Sequence, residues 1–238
     1  MNSKGSILGI LSLVGIFFLE GCGGGNGLGP KEIKKQEDKV LDKLVLDWDS
    51  YNGGDFQASI DQFTATLAQA DKLEGSSGVQ NRIKSEAYNG IAWSFFRQQK
   101  LTDAWDAFRR ATSLDRQNAD AWVGWAGVAL AQRRYSDVVQ FSLQAMEYSV
   151  DYKSALRTDN TKRNLGHDLV DGRHLQLMLA EAYFQLGRYS SIERADPNNA
   201  TAQVKRIDPG FRYRDPGQLV QAISRISLEL KSETEGVF

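Results

Sequence analysis

The stretches YNGIAWSFFRQQKLTDAWDAFRRA (residues 88–111) and WVGWAGVALAQRRYSDVVQFSLQA (residues 122–145) have equal length and start 34 positions apart. Tyr88, Ile91, Ala92, Phe95, Ala104, Phe108 and Ala111 of the first align with Trp122, Trp125, Ala126, Ala129, Val138, Ser142 and Ala145 of the second. At 3.6 residues per turn, positions 88, 91, 92 and 95 share one face of a helix, and 104, 108 and 111 share one face of the next. Small residues at 92, 104 and 111 let two helices approach closely, and bulky ones fill the space around them. Lys100-Leu101-Thr102 and Arg134-Tyr135-Ser136 read as the turns within each pair. A helix pair of this kind hides its apolar face only against a neighbouring pair, so the pattern predicts stacking.

Working outward, the pattern continues in weaker form. Leu179-Ala180, Tyr183, Leu186-Gly187-Arg188-Tyr189 and Ile192 read as the first helix and turn of a further unit. Its second helix is expected to be cut short at Asp196-Pro197, because proline lacks an N–H and clashes with the preceding turn. Upstream, Trp48, Tyr51, Gly54, Phe56, Phe63 and Thr66 read as a first unit, with Trp48-x-x-Tyr51 recurring as Trp93-x-x-Phe96 after 45 positions. The extra length falls in 70–84, where Gly75-Ser76-Ser77-Gly78 marks a loop.

These offsets resemble the tetratricopeptide repeat, over about 40–149 and 174–195 and most closely over 85–149. The resemblance implies an all-α fold: a short right-handed helical solenoid of three to four helix pairs. A plain helical bundle is the alternative. Asp215-Pro216 followed by Leu219, Ile223, Ile226 and Leu230 predicts a C-terminal capping helix. Residues 197–214 are expected to be irregular. Residues 150–173 are rich in charges of both signs, and are expected either as a short helix on the array, built on Leu156, Leu165, Leu169 and Val170, or as a solvated insertion.

The composition excludes several chemistries. Twenty-nine Lys and Arg against 30 Asp and Glu leave a formal charge of −1, so no whole-chain field draws nucleic acid. One cysteine excludes an internal disulfide, a cysteine-based zinc site and an iron–sulfur cluster. Two histidines leave few acid–base candidates. The motifs G-x-S-x-G, H-E-x-x-H and G-x-x-x-x-G-K-S/T do not occur. No enzyme activity and no cofactor are expected.

The N-terminal segment reads as an address. After Lys4, an apolar stretch runs from Ile7 to Leu19, interrupted by Gly9, Ser12 and Gly15. As a helix it would be about 20 Å long, short of a hydrocarbon core of about 30 Å, which fits a secretory signal peptide. It ends at Leu19-Glu20-Gly21-Cys22, and Cys22 is the sole cysteine. This segment resembles the lipobox of bacterial lipoproteins in Leu19, Gly21 and Cys22, while Glu20 departs from it. The resemblance implies cleavage after Gly21, a diacylglyceryl thioether on Cys22 and acylation of the new amino end; two or more acyl chains anchor firmly where one does not. Gly23 to Pro30 is a Gly-rich tether reaching roughly 16 Å. A glycine after the cysteine implies export to the outer membrane. The expected organisation is a signal peptide at 1–21, a lipidated cysteine and tether at 22–31, and a repeat domain at 32–238.

Candidate sites are few. His167, Asp171 and His174 have helix-face spacing suited to a divalent metal, but Gly166 and Gly172 oppose a continuous helix, and solvated loop histidines are the preferred reading. Carboxylates such as Asp103 and Asp106, or Glu181 and Glu193, read as a charged helix face. Trp122 and Trp125 take core positions, and Trp105 is expected to be partly exposed. By analogy with the repeat family, Trp48 and Trp93 fall on the side of the first helices that faces the groove. Tyr51, Glu86, Asn89, Phe96 and Arg97 complete that candidate partner-binding groove. Packing of both tryptophans between adjacent first helices is the alternative. The function implied is non-enzymatic: a scaffold lipoprotein of the bacterial envelope, anchored in the outer membrane and holding another envelope protein or peptide at its periplasmic face. A biogenesis or assembly factor for pili, secretion or outer-membrane proteins differs from this only in its partner. A glycan or small-ligand binding lipoprotein would need the indole faces of Trp48 and Trp93 exposed side by side.

Overall fold

The computed structural model describes residues 28–154, 157–159, 162–167, 170–189 and 196–234. The signal segment, Cys22 and the tether up to Gly27 lie outside the described residues, as do Leu156, Leu169, Ile192 and Glu193. The described residues are all-helical apart from two isolated bridges, Lys153 with Asp171 and Thr158 with Asn164. The helices are α1 (Pro30–Asn52), α2 (Phe56–Ala70), α3 (Ser77–Arg97), α4 (Leu101–Leu114), α5 (Ala119–Ala131), α6 (Tyr135–Tyr148), α7 (Gly172–Gln185), α8 (Ala200–Ile207) and α9 (Pro216–Thr234). The first begins inside the stretch expected as tether, with Pro30 at its first position, where a missing N–H costs nothing.

Local chemistry starts most of them. Side chains of Asp55, Ser76, Asn118, Asn199 and Asp215 each accept a hydrogen bond from the backbone N–H three residues on, at 3.0, 3.3, 3.1, 3.0 and 2.9 Å. One such bond satisfies a donor that the first helical turn would otherwise leave unused.

The pairs α1–α2, α3–α4, α5–α6 and α7–α8 pack as helical hairpins, and the first helices α1, α3, α5 and α7 are neighbours in that order. The turn that follows each first helix has one feature in common. A single residue takes the left-handed conformation: Gly54 (φ 83°), Gln99 (φ 60°), Arg133 (φ 58°) and Gly187 (φ 71°). In the last three turns the next N–H bonds back five residues, Lys100 to Phe95 O (2.9 Å), Arg134 to Ala129 O (2.8 Å) and Arg188 to Tyr183 O (2.8 Å). This closure satisfies carbonyls at the helix end. The turns are therefore 98–100 and 132–134, about two residues earlier than expected, and α4 and α6 start at Leu101 and Tyr135.

Contact between pairs rests on ring-against-glycine packing. A Cβ added at Gly90 would lie 2.2 Å from the Phe63 ring, and one at Gly124 would lie 2.1 Å from the Phe108 ring. A phenylalanine on α2 and another on α4 thus occupy the space a side chain would need on the next first helix. Ala92, Ala104 and Ala111 are fully buried, as their small size requires.

Two expectations near the C-terminus are corrected. The second helix of the fourth pair is not cut short by Pro197: α8 begins after it under the Asn199 cap, and buries Ala200 and Val204. So 197–214 contains a helix within what was expected to be irregular. The capping helix α9 packs on α7 and α8, burying Leu219, Ala222, Ile226 and Leu230, with Ile223 only half-buried. Residues 150–171 are also neither of the expected forms. Where described they are mostly extended or turning, and they cross the first helices, with Tyr152, Ser154, Leu165, His167 and Val170 withdrawn from water and residues such as Val150, Lys153 and Lys162 exposed.

Candidate functional site

The site lies where 150–171 crosses α1, α3 and α5. On α1 the apolar stripe Val40, Leu44, Trp48 and Tyr51 recurs every three to four residues and turns Trp48 inward. The Trp48 indole N–H donates to Glu86 Oε1 on α3 at 3.0 Å. One helix pair along, the Trp93 indole N–H on α3 donates to Asp120 Oδ2 on α5 at 3.0 Å. Glu86 and Asp120 are 34 positions apart, so a tryptophan on one first helix bonds a carboxylate on the next, twice.

Both indoles are buried, 1% and 0% exposed, and lie between adjacent first helices. They do not present exposed faces, so the sugar-stacking reading lacks the geometry it needs. Tyr51, Glu86, Asn89 and Phe96 are buried too, and the half-buried Arg97 stacks its guanidinium over Phe56 at 4.9 Å. The structure gathers Trp48, Glu86, Asn89 and Trp93 into one cluster beneath the crossing segment. Tyr51 contacts its margin through His167, and Phe96 through Trp93. Of the other tryptophans, Trp122 and Trp125 are buried and Trp105 is half-buried, with its ring under the Arg134 guanidinium at 3.8 Å.

Four residues not singled out as partner-binding complete the cluster. Asp120 accepts from Asn89 Nδ2 (2.6 Å), from His167 Nε2 (2.9 Å) and from the Tyr152 hydroxyl, and pairs with Arg157 Nη1 at 3.1 Å. Glu86 receives Arg157 Nη2 at 2.5 Å and Asn118 Nδ2 at 3.2 Å. The His167 ring lies parallel to the Trp48 indole, centroids 4.5 Å apart, and tilted to Trp93 at 4.9 Å. Arg157 also sits over Trp48 at 5.4 Å and donates to Leu165 O at 3.1 Å. Asn52 Nδ2 holds the segment's backbone through Gly166 O at 3.0 Å. The recurrence of an acid after 34 positions, at 86 and 120, is a sequence signal that could have marked the carboxylates.

Burial pushes the Asp120 carboxyl up, but Arg157, then His167, with their hydrogen bonds and that of Asn89, hold it well below the usual carboxylate range. Burial likewise works against the Arg157 charge, and Asp120 and Glu86 outweigh it, so the guanidinium stays firmly charged. An ionised Asp120 only accepts, so His167 Nε2 carries the proton in their bond. The histidines are not solvated. His167 bonds Asp120, while His174 is buried at the α7 start, bonded to the Asp171 that caps that helix. His167 is thus engaged apart from the Asp171–His174 pair, and no group of three potential ligands for a metal occurs among the described residues.

Beside this cluster opens a cleft of about 720 Å³, lined by Leu41, Val79, Ile83 and Leu165 and by the polar Glu86 and Arg157. That size admits a small ligand or a few residues of a peptide. At its outer margin Arg163 bridges Asp42 (2.6 Å), Asp38 (3.1 Å) and Asp159 (3.1 Å). No helix among the described residues is long and apolar enough to cross a membrane. No protein-family model matches the sequence, and no curated protein is similar to it.

Proposed function

We propose that this chain is a non-enzymatic scaffold lipoprotein of the bacterial envelope, a tetratricopeptide-like solenoid that binds another protein or peptide beside the outer membrane. The observation that carries the reading is the shared face of α1, α3 and α5, which already receives an extended segment through side-chain and backbone bonds. The four like turns and the paired helices support the repeat reading. Leu19-Glu20-Gly21-Cys22 and the glycine tether support the anchor, which would raise the effective concentration toward membrane partners without any new contact.

Photo-crosslinking residues placed at Glu37 and Arg82, which line the cleft, test the binding face against the same residue at Asp106 on the exposed side of α4. In intact envelopes one partner should be captured from the two cleft positions and not from position 106. Equal capture from all three positions would refute a role for this face.

A further inference from the structure

Among the described residues, Glu86 and Asp120 receive no cation from the helices that carry them. Glu86 bonds the neutral donors Trp48 and Asn118, and Asp120 bonds Asn89 and Trp93. The positive charge comes from Arg157, and the phenol and imidazole from Tyr152 and His167, all on the crossing segment. The first helices therefore hold two inward carboxylates and an indole floor, shaped to take a guanidinium from outside themselves. Arg157 meets both carboxylates with its two Nη atoms, at 2.5 and 3.1 Å, and a lysine ammonium does not span such a pair with a planar fork.

We infer that this face is a receptor for an extended peptide segment presenting an arginine, and that residues 150–171 are the chain's own occupant of it. The inference rests on the binding reading above and names the partner's chemistry. The crossing segment meets the face through polar bonds and through the buried Tyr152, Leu165, His167 and Val170, and its described parts are paired only by isolated bridges. The fourth pair does not depend on it for attachment, since α6 packs on α7 directly. The cleft beside Glu86 and Arg157 gives an incoming segment a point of entry at the ion pair. A partner whose arginine displaces Arg157 inherits charge-assisted bonds already oriented by Trp48, Asn89 and Trp93.

The test uses the full chain and a labelled synthetic peptide of residues 150–171, with fluorescence anisotropy as the readout. In the native chain the resident segment competes with the peptide; in Arg157→Ala it competes poorly. The peptide should bind the Arg157→Ala chain roughly tenfold or more tightly than the native chain, as expected when the competent state becomes populated. A peptide carrying Arg157→Ala should lose that binding. If the variant keeps its helical circular dichroism and binds neither peptide, or binds both equally, the inference is overturned. Arg157→Gln, which keeps more of the side chain's bulk, repeats the test if Arg157→Ala fails to fold. If neither variant retains the helical signal, the segment is an integral part of the core and the inference is again overturned. Capture from positions 37 and 82 is read separately, so a partner crosslinked there with no peptide binding leaves the scaffold reading standing while this one falls.

Discussion

Asp120 is a charge almost withdrawn from water, and what surrounds it decides whether that is tolerable. Arg157 lies 3.1 Å away, and His167, Asn89 and Trp93 donate to its two oxygens. Removing one member of such a group strands the others without compensation. Asp120→Asn is expected to lower the unfolding free energy by about 3 kcal/mol in urea titration, whereas Arg225→Ala, on an exposed pair with Asp208, should change it by under about 1 kcal/mol. The same residue sets an acid limit. Its carboxyl ionises well below the ordinary 3.8, so below that value the unfolded chain takes up the proton first. The stability it supplies is complete above that range and is lost as pH falls toward the folded-state value. His174 acts in the same direction from a higher pH. Burial holds it below 6.5, so the unfolded chain protonates first as pH drops through that value. Stability measured from pH 8 to pH 3 should therefore fall in two windows, and Asp120→Asn should shrink the lower one, to which the similarly lowered Asp171 carboxyl also contributes.

At the scale of the element, the repeated turn exposes a cost in two of its four copies. Gly54 and Gly187 take the left-handed conformation freely, but Gln99 and Arg133 take it against the clash of a Cβ with the backbone. Both side chains are exposed, so little contact is lost on removing them. Gln99→Gly and Arg133→Gly should each raise stability by about 1 kcal/mol, seen as a higher melting temperature. The opposite holds where a glycine is required by its neighbour. Gly124→Ala would set a methyl group 2.1 Å from the Phe108 ring, inside a packed interface. The ring must move, and the melting temperature should drop by an amount equivalent to roughly 1–3 kcal/mol. An unchanged melting temperature would contradict this packing between the pairs.

At the scale of the molecule, the stack is continuous from α1 into α7, and a second cluster built on Leu179, Tyr183, Val204, Leu219 and Ile226 closes its far end under α9. The last helix pair needs such covering, because it has no further neighbour to hide its apolar face. The proposed anchor belongs to this scale too, since it would place the whole stack. Cys22→Ala should move the protein from the membrane fraction to the soluble fraction of disrupted envelopes without altering its melting temperature. Retention of the variant in membranes would refute lipid anchoring at Cys22.

The paired helices were legible in the order of residues because their determinants are local and recur. Tyr88 to Phe95 and Ala104 to Ala111 state a helix face within a few turns, and the 34-residue spacing states that the faces stack. Turn positions were misjudged by about two residues because the left-handed residues at 99 and 133 are not glycines. Pro197 suggested an end where Asn199 starts a new helix. What only the tertiary structure decided is the occupancy of the face itself. Tyr152, His167 and Arg157 meet carboxylates 32, 47 and 71 positions away. No periodicity in a polar, non-helical segment says which carboxylate it will cross. That choice belongs to the packed array, where burying Glu86 and Asp120 becomes affordable only once a cation has been brought to them.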